Sequence, residues 1–169
     1  MRFAKLVLDR VDRIVPFQRA YAHCDIPCGI YDPHMAQLAA HTVIRMDMLI
    51  ADAMKNGADD AEGKNKIVRY VSIKEQHAEI CKHEVRVLWG DYFKPDHAKA
   101  HPELNDLVWN ILKLASKAKQ STDVKAGEEL LENVEKLAEI FWKTKGISTY
   151  RAKAPYPTDR EMVYPKVGA

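Results

Sequence analysis

Cysteine is scarce in this chain: three in 169 residues. An odd number of thiols leaves no complete disulfide framework, and this length buries a core without staples. Long apolar runs are missing as well. None approaches the roughly 18 uncharged residues that span a bilayer, so no membrane segment is expected. Strand-like alternation of useful length is also absent. Neither sign of charge dominates, since the net charge is +2. Residues 1–22 carry +3, from Arg2, Lys5, Arg10, Arg13 and Arg19 against Asp9 and Asp12, which leaves −1 on the rest. A near-neutral body gives no support to a nucleic-acid role. What is present is 47% apolar and 30% charged sequence, the profile of one soluble globular domain.

The segment MRFAKLVLDRVDRIVPFQRAYA (1–22) reads as a unit of its own. Phe3, Leu6, Val7, Val11, Ile14 and Val15 fall at helical spacing, and Ala20-Tyr21-Ala22 resembles a small-residue cleavage site. A secretory signal needs an unbroken apolar centre of about 7 to 15 residues. Asp9, Arg10, Asp12 and Arg13 interrupt this one, so export is rejected and a cytoplasmic location is expected. The same aspartates argue against an organelle transit peptide. The plain alternative is an ordinary first helix packed on the domain.

Helical periodicity then runs through most of the chain. Asp32-Pro33 is a good helix start, with Asp as N-cap and Pro at the first helical position. Met35, Leu38, Thr42, Met46, Leu49, Ile50 and Ala53 mark one face as far as Asn56-Gly57. A second helix is expected over 62–89, with Ile67, Tyr70, Ile73, His77, Ile80, Cys81, Glu84 and Leu88 on its stripe and Gly90 ending it. Leu104, Leu107, Val108, Ile111, Leu112 and Ala115 mark a third. Leu130, Leu131, Val134, Leu137, Ala138, Phe141 and Trp142 mark a fourth, capped at 121–123. Short links make this an all-α, antiparallel four-helix bundle. The tail over 147–169, with Pro155, Pro157 and Pro165, has no helical period and is expected to be extended, on the surface or mobile.

Two of the three cysteines lie in HCDIPCGIYDP, residues 23–33. Cys24 and Cys28 bracket a tight turn that brings two sulfurs to one soft or borderline metal ion. A tetrahedral zinc site wants a second ligand pair nearby, and none is there. A Cys24–Cys28 disulfide closes so small a loop that it stabilises little. If the chain is cut after Ala22, His23 becomes the amino terminus. Its amine, the Cys24 amide nitrogen and thiolate, and the Cys28 thiolate then make four ligands in a plane, a geometry suited to Ni(II) or Cu(II). The His23 imidazole remains for an axial position. On this reading the leader masks the amine until it is removed.

HCDIPCGIYDP closely resembles the nickel hook of nickel-containing superoxide dismutases. IKEQHAEICKHEVRVLWGDYFKP (73–95) and IFWKTKG (140–146) resemble that family's second helix with its following loop and the end of its fourth. The likeness covers most of 23–146. It implies a four-helix bundle with an N-terminal metal-binding hook, one nickel ion per subunit and a homohexamer. It also implies superoxide as substrate, disproportionated through a Ni(II)/Ni(III) couple. By resemblance His23, Cys24 and Cys28 are the metal ligands, and Pro27 matches a proline that is cis. Tyr31 limits access to the metal, and Asp25 shapes the hook. Tyr92 and Lys94 match residues near the hook of an adjoining subunit, where a lysine draws in an anion. A leader-cleaving protease is implied too. Two positions depart from the family, whose glutamate and arginine orient the axial imidazole: here they are Ala39 and His77. His77 is a candidate replacement partner, against the plain reading of a packed helix histidine.

Other classes remain in view. The same chelate in an exposed, exchangeable hook would serve a nickel or copper carrier without turnover. With residues 1–22 retained, the loop would be a disulfide in a structural bundle. Cys81 reads as a small buried hydrophobe. His34, His41, His83, His97 and His101 read as surface or capping residues.

Overall fold

A computed structural model describes residues 28–168. The order is α1 (His34–Lys55), α2 (Ala61–Val87), a π-helical turn (Leu88–Tyr92), the short α3 (Pro95–Ala100), α4 (Leu104–Gln120), α5 (Val124–Thr144), β1 (Thr149–Lys153) and β2 (Glu161–Pro165). The four long helices form the expected bundle, with α1 packed on α2 and α5, and α4 packed on α2 and α5. Two starts are set by acidic caps, Asp60 accepting from Gly63 N–H at 2.7 Å and Asp123 from Lys125 N–H at 3.0 Å. At α1 the N-cap is Pro33 rather than the expected Asp32, which stands one residue earlier and accepts from His34 N–H at 2.7 Å. Among the described residues no helix is long and apolar enough to cross a membrane.

The α5 stripe lies wholly in the core, as its period requires, and α4 follows with Leu104, Leu107, Val108, Ile111 and Ala115 buried. The faces of α1 and α2 differ from expectation. Met35 is 51% exposed and Ile73 is 38% exposed. The buried surface of α1 is instead Ala36, Ala39, Ala40, Val43 and Ile44 together with the polar Gln37, His41 and Asp47; that of α2 includes Ala78, Cys81, Val85 and Lys74. Small side chains let the backbones approach closely. At Gly127 of α5 an added Cβ would stand 2.9 Å from Ile44 Cγ1, so a side chain there would push α1 away. Gly90 does not stop the second helix, which widens into the π turn and runs on to Tyr92. The link after it folds as α3, with Pro95 at its first position.

The tail is extended and bound to the bundle, as expected, but it corrects the expectation that the chain has no strands. Residues 149–165 form an antiparallel hairpin in register from Thr149↔Pro165 to Lys153↔Glu161, and it contacts α5. Ala154, Thr158, Met162 and Val163 are buried. Gln37 and His41 of α1 hydrogen-bond Val163, Thr158 and Glu161. Arg151 reaches Glu135 at 2.6 Å and Glu139 at 2.8 Å, and Arg160 pairs with Glu128. Burial pushes the Glu135 carboxyl up to about 7, against the pull of Arg151. His41 is thus a buried clamp rather than a surface residue, and His101 is buried too.

Candidate metal centre

The first ligand positions, His23 and Cys24, lie outside the described residues, as do Asp25 and Pro27. Cys28 is the point where the hook enters the description. It is exposed and a free thiol, and its sulfur accepts a hydrogen bond from the Ile30 N–H at 3.5 Å. Gly29 turns the chain with φ +72°, a value that L side chains rarely adopt. This delivers Tyr31 against the bundle, half-buried beside Tyr92 with ring centroids 5.5 Å apart.

A cavity of about 460 Å³ opens here, lined by Gly29, Tyr31, Asp91, Tyr92, Lys94, His97 and Lys145. Four sections of chain meet around it. The π turn carries Asp91 and Tyr92, Lys94 precedes α3, His97 stands on α3, and Lys145 follows α5. The widened turn holds Tyr92 against Phe141 (4.6 Å) and His97 (5.6 Å). Its phenol oxygen is 2.7 Å from Thr144 Oγ1. Lys145 Nζ lies 5.3 Å from the Tyr92 ring centroid and 5.2 Å from that of Phe141, within reach of a cation–π attraction. The Lys94 N–H donates to His97 Nδ1 at 3.3 Å. Neutral His97 therefore carries its proton on Nε2. Two lysines and a ring N–H beside one carboxylate make a mouth that draws small anions.

Three of the expected residues, Tyr31, Tyr92 and Lys94, thus line one cavity within this chain, with Tyr31 three residues after Cys28. His77 is not among the cavity's lining. Its Nδ1–H donates to the Ile73 carbonyl at 2.9 Å, one turn back in α2, which leaves Nε2 as the acceptor. Ala39 is buried and offers no polar group. Thr144 and Lys145, in IFWKTKG, escaped the residue-by-residue reading, and His97, read as a surface or capping residue, does cap α3 by accepting the Lys94 N–H; only packing showed that the three converge. Cys81 is fully buried, and burial, then the nearby Glu84 charge, pushes its thiol up to about 12. It is no ligand candidate. Among the described residues no group of three or more histidine, cysteine, aspartate and glutamate side chains forms a metal site. A free, exposed thiol beside an anion-drawing cavity fits a borderline metal bound from the preceding residues.

A helical bundle with an exposed cysteine beside a cationic, tyrosine-walled cavity fits a thiolate metalloprotein that handles a small anion. The profile of the family described as Nickel-containing superoxide dismutase matches residues 18–145, and the chain belongs to that family. It is 44% identical over 124 residues to Superoxide dismutase [Ni] of Streptomyces coelicolor, covering 73% of this chain and 88% of that one. It is 42% identical over 130 residues to Superoxide dismutase [Ni] of Streptomyces seoulensis, covering 77% and 93%. Among solved structures, native nickel superoxide dismutase aligns with a TM-score of 0.64 at 44% identity, covering 73% of this chain and 99% of that one. A nickel-containing superoxide dismutase with the ligation of the oxidised state gives 0.65 at 42%, with the same coverages. The activity is therefore nickel-dependent dismutation of superoxide, and the carrier reading yields to the enzyme. The hairpin lies beyond the matched residues.

Proposed function

We propose that the chain is a precursor whose residues 1–22 are removed by a protease, and that His23 then becomes the first residue of a superoxide dismutase. The proposed domain plan is a leader over 1–22, the catalytic bundle over 23–146 and the C-terminal hairpin segment over 147–169. His23 would hold the nickel through its amine and its imidazole, Cys24 through its amide nitrogen and thiolate, and Cys28 through its thiolate. When bound, nickel supplies a one-electron Ni(II)/Ni(III) couple. The overall chemistry consumes two superoxide anions and two protons and yields one dioxygen and one hydrogen peroxide.

The chain's own groups do the rest. Lys94, Lys145 and His97 Nε2–H attract the anion. Tyr31 and Tyr92 wall the approach, which limits contact of peroxide with the thiolates, groups prone to oxidation. Asp25 and Pro27 shape the turn between the two cysteines. His77, by its Nε2, is the candidate partner for the His23 ring in place of the family's acid and arginine. The resemblance to a homohexamer supports assembly of several copies with hooks ordered at subunit junctions. The broken apolar centre of the leader supports a cytoplasmic location.

The observation that carries this reading is the free Cys28 thiol at the edge of the cationic, two-tyrosine cavity. Intact mass, nickel analysis and superoxide turnover on the native protein test it together. The expected sample begins at His23 and holds one nickel per chain. An active, nickel-loaded sample that still includes residues 1–22 overturns it.

A further inference from the structure

Thr144 ends α5, and its hydroxyl stands in the middle of a three-group chain. Oγ1 donates to the Phe141 carbonyl at 2.7 Å and lies 2.7 Å from the phenol oxygen of Tyr92. A carbonyl has no proton to give, so the one proton of the Thr144 hydroxyl is committed to Phe141. Toward Tyr92, Oγ1 is left with lone pairs only, and the phenol must be the donor. The direction is fixed from ring to helix end: Tyr92 O–H to Thr144, Thr144 O–H to backbone.

The ring has little freedom to alter this. Phe141 packs at 4.6 Å, Tyr31 at 5.5 Å and His97 at 5.6 Å, while the Lys145 ammonium lies 5.3 Å from the ring centroid. With its proton turned to Thr144, the Tyr92 oxygen has lone pairs alone to offer any further partner that reaches it from the cavity this residue lines. Superoxide carries negative charge and no proton, so it meets that oxygen acceptor to acceptor. Water and hydrogen peroxide carry O–H groups and meet it as donors.

We propose that Thr144 is a positioning residue that makes Tyr92 an acceptor-only wall, steering small anions to the Lys94, Lys145 and His97 side of the cavity while giving the protonated product a partner. The inference rests on the superoxide dismutase reading of this cavity. It concerns the sorting of anions from protonated species, which the hook ligands do not determine.

Thr144→Val keeps the shape and removes the acceptor, so the Tyr92 proton is free to turn into the cavity and donate to an anion. Azide, a small monoanion, is the probe. In nickel-loaded protein, T144V is expected to be inhibited by azide at about three- to tenfold lower concentration than wild type, the worth of one net hydrogen bond. T144S, which retains the hydroxyl, is expected to match wild type. Apart from turnover, azide titrated into protein with 13C-labelled tyrosine rings should move the Tyr92 resonance, assigned by its loss in Y92F, at lower azide in T144V than in wild type. Equal azide sensitivity of T144V and wild type in both readouts overturns the proposal. So does a T144S variant as sensitive as T144V. Should T144V not fold, the wild-type protein still decides. A slowly exchanging Tyr92 hydroxyl proton with a nuclear Overhauser contact to Thr144 supports the direction, and a hydroxyl proton without one overturns it. Absence of superoxide turnover in the wild type counts against the function, and the ring titration still decides Thr144.

Discussion

Gln37 holds Val163 by both ends of its amide. Nε2 donates to the Val163 carbonyl at 3.1 Å, and Oε1 accepts the Val163 N–H at 2.8 Å, across 126 residues of sequence. The side chain of a helix thereby completes the backbone pairing of β2, a strand whose Met162 and Val163 are buried.

Replacing Gln37 by Ala leaves that buried N–H and C=O unpaired. The expected cost is about 2 to 4 kcal/mol, since each orphaned group loses water without gaining a partner. Urea denaturation measures it; a midpoint equal to wild type would contradict the clamp.

His41 makes the hairpin contact sensitive to pH. Its Nε2–H donates to the Glu161 carbonyl at 3.1 Å, so neutral Nδ1 accepts from the Thr158 hydroxyl at 2.8 Å. Burial holds its pKa below the ordinary 6.5; the Glu161 bond pulls the other way, and the charge of Arg160 adds to the lowering. Arg45 and Tyr156 also face it, lining the adjoining small cavity. The unfolded chain therefore binds a proton that the folded one resists. This contribution is complete above pH 6.5 and is lost as pH falls from there through the folded-state value. With the intrinsic exchange rate at each pH divided out, the protection of the hairpin amides should fall from pH 8 to pH 5 in wild type, and His41→Gln should flatten that dependence.

Lys74 and Asp47 form a buried ion pair at 2.9 Å between α2 and α1, with side chains 2% and 0% exposed. Lys74 also donates to the Ser121 carbonyl. Burial pushes the Asp47 carboxyl up, and Lys74 pulls it back. Lys74→Met strands the carboxylate, at an expected cost of about 3 to 5 kcal/mol. The loss should shrink at acidic pH, where Asp47 takes up a proton, and a K74M/D47L double variant should recover most of it. Equal denaturation midpoints for K74M and wild type contradict this.

Cys28→Ser separates the metal centre from the fold. The residue is exposed and holds no core contact, so the stability change is expected within about 0.5 kcal/mol. Nickel content and superoxide turnover should both be lost. Nickel retained at one ion per chain would remove Cys28 from the ligand set.

His77→Ala tests whether that ring serves the axial imidazole. Slower turnover, or a weakened oxidised-nickel signal in electron paramagnetic resonance, is expected at unchanged nickel content. Unchanged kinetics with an unchanged signal leave His77 as a helix residue bonded, among the described residues, to the Ile73 carbonyl.

The family was readable from HCDIPCGIYDP because the motif is local, carried by the identity and spacing of adjacent residues. The α4 and α5 helices were readable for a related reason, since each buries a continuous apolar stripe, whose period is a property of one segment. The α1 and α2 faces were not. Their contact is built from alanines and from Gln37, His41, Asp47 and Lys74, polar groups that are stable inside only with distant partners.

The hairpin was hidden for the same cause. TYRAK and EMVYP mix exposed charges with short apolar runs, and they hold as strands because α1 and α5 supply Gln37, His41 and Glu135. The cavity needed tertiary structure most of all. Tyr92 and Thr144 are 52 residues apart, and the direction of the proton between them depends on a third group, the Phe141 carbonyl. Sequence by itself determined the helices with apolar stripes and the family. Only packing decided which polar groups were buried, what held the hairpin, and which way Tyr92 donates, because each depends on contacts between segments far apart in the chain.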